Sequence, residues 1–260
     1  MAKTPQKTLV PATTSHKITM SNALIRAGHG LSLAEKRVVF IALAKLDSRQ
    51  PVPPESTLQC SRVTAAEYAQ LAGCEANTAY EALKDATKLL YSRSITFFEP
   101  AHKRNGKELV TVHMRWVGEV KYHKNEGWAE LWWWPKVLPH LMGFKAQFTS
   151  YQLQQATALR STYSWKLLEL LSRFEKAGQG WAEYTIEDFA TSMEATPKQR
   201  ENFNNIKRRI IEPAVKELQE KDGWVIRWEA IKAGRRVKAV RFEFERDPQG
   251  KLMLKSGKAF

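Results

Sequence analysis

Residues 203–244 read FNNIKRRIIEPAVKELQEKDGWVIRWEAIKAGRRVKAVRFEF, and a change of period inside this stretch decides the fold. At 100° per residue Phe203, Ile206, Ile210 and Ala214 fall in one narrow sector that Leu218 extends. This predicts a helix from about Arg200 to Glu220. The period then drops to that of strands at Trp224–Trp228 and Val237–Phe244, which flank IKAGRR and form a hairpin. Upstream, TIEDFATSM at Thr185–Met193 predicts a short helix, separated from the long one by a turn containing Pro197. Helix, turn, helix and basic-tipped hairpin make a winged helix.

The same order of elements occurs earlier in the chain. LSLAEKRVVFIALAKL, from Leu31, predicts a helix with Leu33, Val38 or Val39, Leu43 and Leu46 along one stripe and a capping box from Ser32 to Glu35. It ends before the Pro-rich loop DSRQPVPPES. TAAEYAQL at Thr64–Leu71 predicts a second helix stopped by Gly73, and Asn77 to Leu90 a third, with Tyr80, Leu83, Thr87 and Leu90 on one side. Strands at Ser94–Phe98 and Leu109–Met114 enclose the loop AHKRNGKE, and a further pair, Glu119–His123 and Trp128–Trp134, turns at KNEG. Short helical or irregular pieces follow over Pro135–Phe148. Residues 151–176 form an apolar-periodic region with Leu153, Leu159, Trp165, Leu168 and Leu171 as core groups. The expected architecture is therefore α+β, with two tandem winged-helix domains at 18–148 and 149–246, a flexible leader at 1–17 and a flexible tail at 247–260. The repeat lies in element order, since literal identity between the halves is weak.

Charge gives this architecture a partner. The 260 residues carry 41 Lys and Arg against 27 Asp and Glu, a net +14, and the excess is shared, with 20 against 12 in residues 1–148 and 21 against 15 thereafter. Two basic winged helices fit double-stranded DNA, because a helix enters the major groove while a basic hairpin straddles phosphates. On the helix of the second unit Glu201, Asn204, Asn205, Arg208 and Glu212 lie opposite the apolar sector, with Arg200, Lys207 and Arg209 near its borders. Asn205 and Arg208 are the expected base readers, since Asn pairs bidentately with adenine and Arg with guanine; Lys207 and Arg209 are expected on phosphate. Lys232, Arg235, Arg236 and Lys238 form the wing.

The first unit is expected to position more than to read. Thr78, Glu81 and Asp85 share the exposed side of its third helix, and carboxylates oppose close docking on phosphate. Asn77, Thr78, Lys84, Lys88 and Arg93 are its expected helix-side contacts, and His102, Lys103, Arg104 and Lys107 its wing. Trp132, Trp133 and Trp134 put large apolar groups on both faces of one strand. One face covers the first core, and the other packs between the domains or forms a protein interface.

Other chemistries find little support. No GxxxxGK[ST] loop occurs, His113 and His123 stand too far apart in sequence for a compact metal pair, and Cys60 and Cys74 alone cannot bind zinc. No enzyme activity, cofactor or metal is expected. The chain has no apolar run long enough to span a membrane, and its start lacks the apolar core of a secretion signal. A cytoplasmic location follows as an expectation.

Three stretches together resemble the RepE-like family of replication initiators of theta-replicating bacterial plasmids: SNALIRAGHGLSLAEKRVVFIALAKL, FTSYQLQQATALRSTYSWKLLELLSRF, and the 203–244 stretch. None is a catalytic signature, but their order and spacing are specific. The resemblance implies paired winged helices that bind directly repeated origin elements, or iterons. Monomers would initiate replication with host helicase and initiator proteins, and dimers would repress the initiator's own operator. It selects Asn205, Lys207, Arg208, Arg235 and Lys238 in the second domain, and ANTAYEALKDATKLL with HKRNGK in the first. The competing reading is a DNA-binding transcription regulator without initiator activity.

Overall fold

The computed structural model describes residues 17–55, 57–100, 109–124, 126–175 and 178–246. The expected tail, most of the expected leader, and His102, Lys103, Arg104 and Lys107 of the first wing lie outside the described residues. Lys17, the last residue assigned to the leader, opens strand β1 (Lys17–Ser21).

The first unit follows the expected order and adds pieces to it. A short α1 (Asn22–Arg26) leads to α2 (Leu33–Leu43), whose Ser32 hydroxyl accepts from Glu35 N while the Glu35 carboxylate accepts from Ser32 N. The predicted stripe understates α2: Glu35, Lys36 and Val38 to Leu43 are all buried, so the helix is enclosed on every side. Strand β2 (Cys60–Thr64) and α3 (Ala65–Ala72) come next. Thr64 and Glu67 form a second capping box, and Gly73 closes α3 in the left-handed conformation at φ 63°. Helix α4 (Ala76–Leu90) buries Ala79, Leu83, Ala86, Thr87 and Leu90. Strands β3 (Ser94–Pro100) and β4 (Leu109–Arg115) pair as the wing hairpin, while β5 (Val117–His123) and β6 (Trp128–Trp133) join β2 in the order β2-β6-β5.

The middle of the chain ties the units together. After a 3-10 segment at Pro135–His140, β7 (Phe148–Gln152) pairs antiparallel with β1, so the expected boundary between 148 and 149 falls inside a strand. Short α5 (Leu153–Thr157) precedes α6 (Thr162–Glu175), which packs on β7 and α1 and also on the strand Trp181–Thr185 and the helix Glu212–Asp222 of the second unit. Trp165, Leu167, Leu168, Leu170 and Leu171 of α6 are fully buried, and one contiguous core runs from Ile18 to Phe244.

The second unit comprises β8 (Trp181–Thr185), α7 (Ile186–Ser192), α8 (Pro197–Arg200), a helical rod, β9 (Trp224–Ala233) and β10 (Arg236–Arg246), with sheet order β8-β10-β9. The rod begins at Phe203, capped by Asn202, and not at Arg200. It consists of α9 (Phe203–Ile206), a π-helical turn (Lys207–Ile211) and α10 (Glu212–Asp222). Pro213 explains the widening: it has no N–H to give and its ring crowds the preceding carbonyls. A turn in which Glu212 N reaches back to Lys207 O takes up that misfit without breaking the rod.

Candidate nucleic-acid interface

In the second unit, one turn joins the helix that supports the site to the rod that presents it. Thr196 and Gln199 form a capping box on α8 with Pro197 at its first position. Arg200, expected at the border of the DNA-facing surface, holds this turn instead: its Nε donates to Ala195 O at 2.9 Å and its terminal nitrogens reach Thr191 Oγ1.

Along the rod Phe203 is half-buried while Ile206, Ile210, Ala214 and Leu218 are buried, as the sector predicted; Ile211 and Val215 widen the buried face. Asn204, Arg208 and Arg209 are exposed. Asn205 is half-buried, and its Nδ2 donates to Lys198 O at 2.9 Å, which turns its amide nitrogen toward the helix-turn-helix corner. Lys207 lies 3.6 Å from Glu212 and over the Trp228 ring. Arg208 and Arg209 have no hydrogen-bond or ion-pair partner among the described residues and stand on the π turn. Glu201 lies in the link before the rod and not on the helix face.

The wing turns tightly. Gly234 and Arg235 connect β9 to β10, with Gly234 at φ 62°, a conformation that glycine adopts without strain. The register shifts between Val237 and Ala239, so Lys238 occupies a bulge. Lys232, Arg235, Arg236 and Lys238 are exposed and have no ion pair among the described residues, while Ala239, Phe242 and Phe244 further along β10 are buried. Six unneutralised cations thus share the rod and wing.

The first unit is organised differently. Asn77 and Thr78 are exposed on the opening turn of α4. Glu81 and Asp85 do not stand as bare charges: Lys84 Nζ lies 2.8 Å from Glu81 and Lys88 Nζ 2.8 Å from Asp85. These pairs hold the Asp85 carboxyl below and the Lys84 amine above their ordinary values. The helix surface is therefore neutral and not acidic, and Lys84 and Lys88 are already engaged. Arg93, expected on the outside, turns inward onto buried Glu35 with Nε and a terminal nitrogen at 2.9–3.0 Å. A buried carboxylate requires such a partner. Nothing in the sequence pattern paired residues 58 positions apart.

The three tryptophans separate. Trp133 is buried and donates its Nε1 to Ser61 Oγ, Trp132 is half-buried under Lys121, and Trp134 lies beyond the strand, exposed and against Gly118. Trp133 covers the first core, and Trp134 is the one open to a partner. Cys60 is half-buried, its thiol pushed up to about 11 by burial and Glu130, an unreactive setting. No group of three or more His, Cys, Asp and Glu suited to a metal occurs among the described residues, nor any helix long and apolar enough to cross a membrane.

The WH1 module of the initiator replication proteins matches residues 17–172 and the WH2 module residues 185–244. The chain belongs to the initiator replication protein family. Family membership makes it a plasmid replication initiator built of DNA-binding winged helices, which are non-catalytic. It is 29% identical over 215 residues to an uncharacterized 27.6 kDa protein of Escherichia coli, covering 79% of this chain and 85% of that one. It is 24% identical over 270 residues to the PI protein of Escherichia coli, with 92% and 85% covered. Its fold matches the crystal structure of the Pi initiator protein in complex with iteron DNA at a TM-score of 0.75 and 22% identity, covering 91% of this chain and all of that one.

Proposed function

We propose that this initiator binds direct repeats of a plasmid origin as a monomer, one winged helix to each segment of the repeat, and thereby promotes opening of the origin and recruitment of the host helicase and initiator proteins. The observation that carries the reading is the set of unpaired cations Arg208, Arg209, Lys232, Arg235, Arg236 and Lys238 on one rod and wing. The iteron DNA bound by the Pi protein supports a repeat as the ligand.

In this reading Asn204, Asn205 and Arg208 meet base edges, with Asn205 offering its carbonyl oxygen. Lys207, Arg209 and the wing hold phosphate, and Arg200 shapes the turn. Asn77, Thr78, Lys84, Lys88 and the loop 101–108 position the first unit, with 18–148 and 149–246 as the working partition and β7 and α6 as the joint. A dimer acts on the protein's own operator, with exposed Trp134 as a candidate contact.

Titration of a fluorescent duplex carrying a direct repeat from DNA flanking the gene, against a shuffled duplex, tests the assignment. Preference for the repeat, followed by permanganate-sensitive opening of adjacent AT-rich DNA, is expected. Preference without opening on a supercoiled origin would favour an operator regulator, and equal binding to both duplexes would overturn the reading.

A further inference from the structure

Glu194 stands where a glycine would be expected. It follows α7 with φ 54°, one of two described non-glycine residues at positive φ, and its N–H closes the helix on Thr191 O. A side chain held in the left-handed region has a local conformational cost, and here it spans the two units. Glu194 Oε1 accepts from His29 N at 2.9 Å, and Oε2 accepts from Gly30 N at 2.8 Å.

Both ends of this bridge lead to DNA-facing elements. On the first-unit side, Gly28 exchanges two backbone hydrogen bonds with Thr96 on β3, the first strand of the wing hairpin. Gly30, at φ 62°, lies so close to β3 that a Cβ would fall 2.7 Å from Ser94 O. Beneath the segment, Lys166 of α6 donates to Ala27 O at 2.6 Å. On the second-unit side, the residue after Glu194 is Ala195, whose carbonyl is held by Arg200 at the corner that leads into the rod. A short path of hydrogen bonds therefore runs from the root of the first wing to the rod of the second unit, and the Glu194 carboxylate is its crossing point.

We propose that Glu194 is a positioning residue that fixes the separation and rotational phase of the two DNA-reading units, so that the spacing of segments within a repeat is read through it. The inference rests on the two-module binding proposed above. Joining two modules makes the second contact intramolecular, and a stiff joint concentrates that advantage on the one spacing it fits. Because the duplex turns once in about 10.5 base pairs, a small insertion rotates one segment away from its module. Loosening the joint should weaken binding at the native spacing and relax the penalty at altered ones.

Glu194→Gly removes the carboxylate while leaving a residue that accepts the backbone conformation, and Glu194→Gln keeps the side chain but offers one acceptor oxygen in place of two. Full-length wild type and both variants would be titrated on a duplex bearing one direct repeat from the gene's flanking DNA. The same repeat with one or two base pairs inserted or deleted at its centre, and duplexes carrying either half alone, complete the set. Amide exchange at His29 and Gly30 would be followed in parallel. We expect native-spacing affinity to fall about tenfold for Glu194→Gly, less for Glu194→Gln. The spacing profile should flatten, binding to each half should hold, and the two amides should exchange faster. Superposable spacing profiles for wild type and both variants, with the wild type still preferring the repeat, would overturn the positioning role while leaving the proposed function standing. Failure of the wild type itself to prefer the repeat would overturn both.

Discussion

Lys36 on α2 and Glu169 on α6 meet at 3.1 Å in the centre of the molecule, their side chains 3% and 0% exposed. Lys166, also buried, approaches the other Glu169 oxygen at 3.7 Å, and Tyr151 Oη donates to Oε1 at 2.9 Å. Two ammonium groups thus share one carboxylate inside the joint. Such a pair holds elements in register more than it adds stability, since desolvation offsets much of the attraction.

Removing the shared carboxylate should therefore be costly. Glu169→Gln leaves two buried cations without a counter-charge, and we expect a loss of about 3–5 kcal/mol by urea denaturation. Lys166→Met keeps the Lys36–Glu169 pair and should cost less. A loss below about 1 kcal/mol for Glu169→Gln would contradict the placement of these charges in the core.

The same joint predicts pH effects of one sign from its two bases, in two separate windows. His29 is enclosed, and burial, then Lys166 and Lys36, hold its imidazole well below the ordinary value. The unfolded chain therefore binds the extra proton first as pH falls below about 6.5, and stability drops. Burial likewise lowers the Lys166 amine to about 8. From there to its ordinary value only the unfolded chain stays protonated, so this group adds stability as pH rises from about 8 to 10. Denaturation midpoints should become less acid-sensitive in His29→Gln and lose the alkaline gain in Lys166→Met.

Within the rod, Arg208→Ala should reduce the ratio of repeat to shuffled-duplex affinity by about 1–3 kcal/mol, the value of one bidentate base contact. Lys207, drawn toward Glu212 and Trp228, contributes mainly attraction, so Lys207→Ala should weaken both duplexes alike. An unchanged affinity ratio in Arg208→Ala would remove that residue from base reading.

On the wing, Arg235→Ala with Arg236→Ala should lower the slope of log affinity against log salt by about 2, roughly one per lost phosphate contact. Circular dichroism serves as the folding control. Parallel salt slopes for wild type and the double variant would place both side chains off the phosphates.

Elements whose signal is local were legible from sequence. The capping box at Ser32 marked the start of α2, the stretch TAAEYAQL placed α3 to within a residue, and the apolar sector of Ile206, Ile210, Ala214 and Leu218 placed the buried side of the rod. Partners distant in the chain were not. Strand β1 is five residues long and gains its identity from β7, where Thr19 Oγ1 meets Ser150 Oγ at 2.9 Å across 131 positions. Arg93 read as a surface cation because Glu35 read as a cap, although each serves the other. At the candidate interface residue type and helix face were readable. The breaks flanking α8, the inward turn of Asn205 and the Glu194 bridge needed tertiary contacts to be seen.

The π turn at Lys207–Ile211 also limits how this protein's DNA preference can be exchanged with that of a relative. Side chains before the turn and within it are not related by an ordinary helical repeat, so Asn204 and Arg208 keep their mutual aim only while Pro213 sustains the extra width. Grafting one or two polar residues from another initiator onto a regular helix would misdirect them. A transplant of binding preference therefore has to carry 202–213 as an indivisible cassette, and hybrids joined inside it should be poor discriminators even when every base-reading side chain has been supplied.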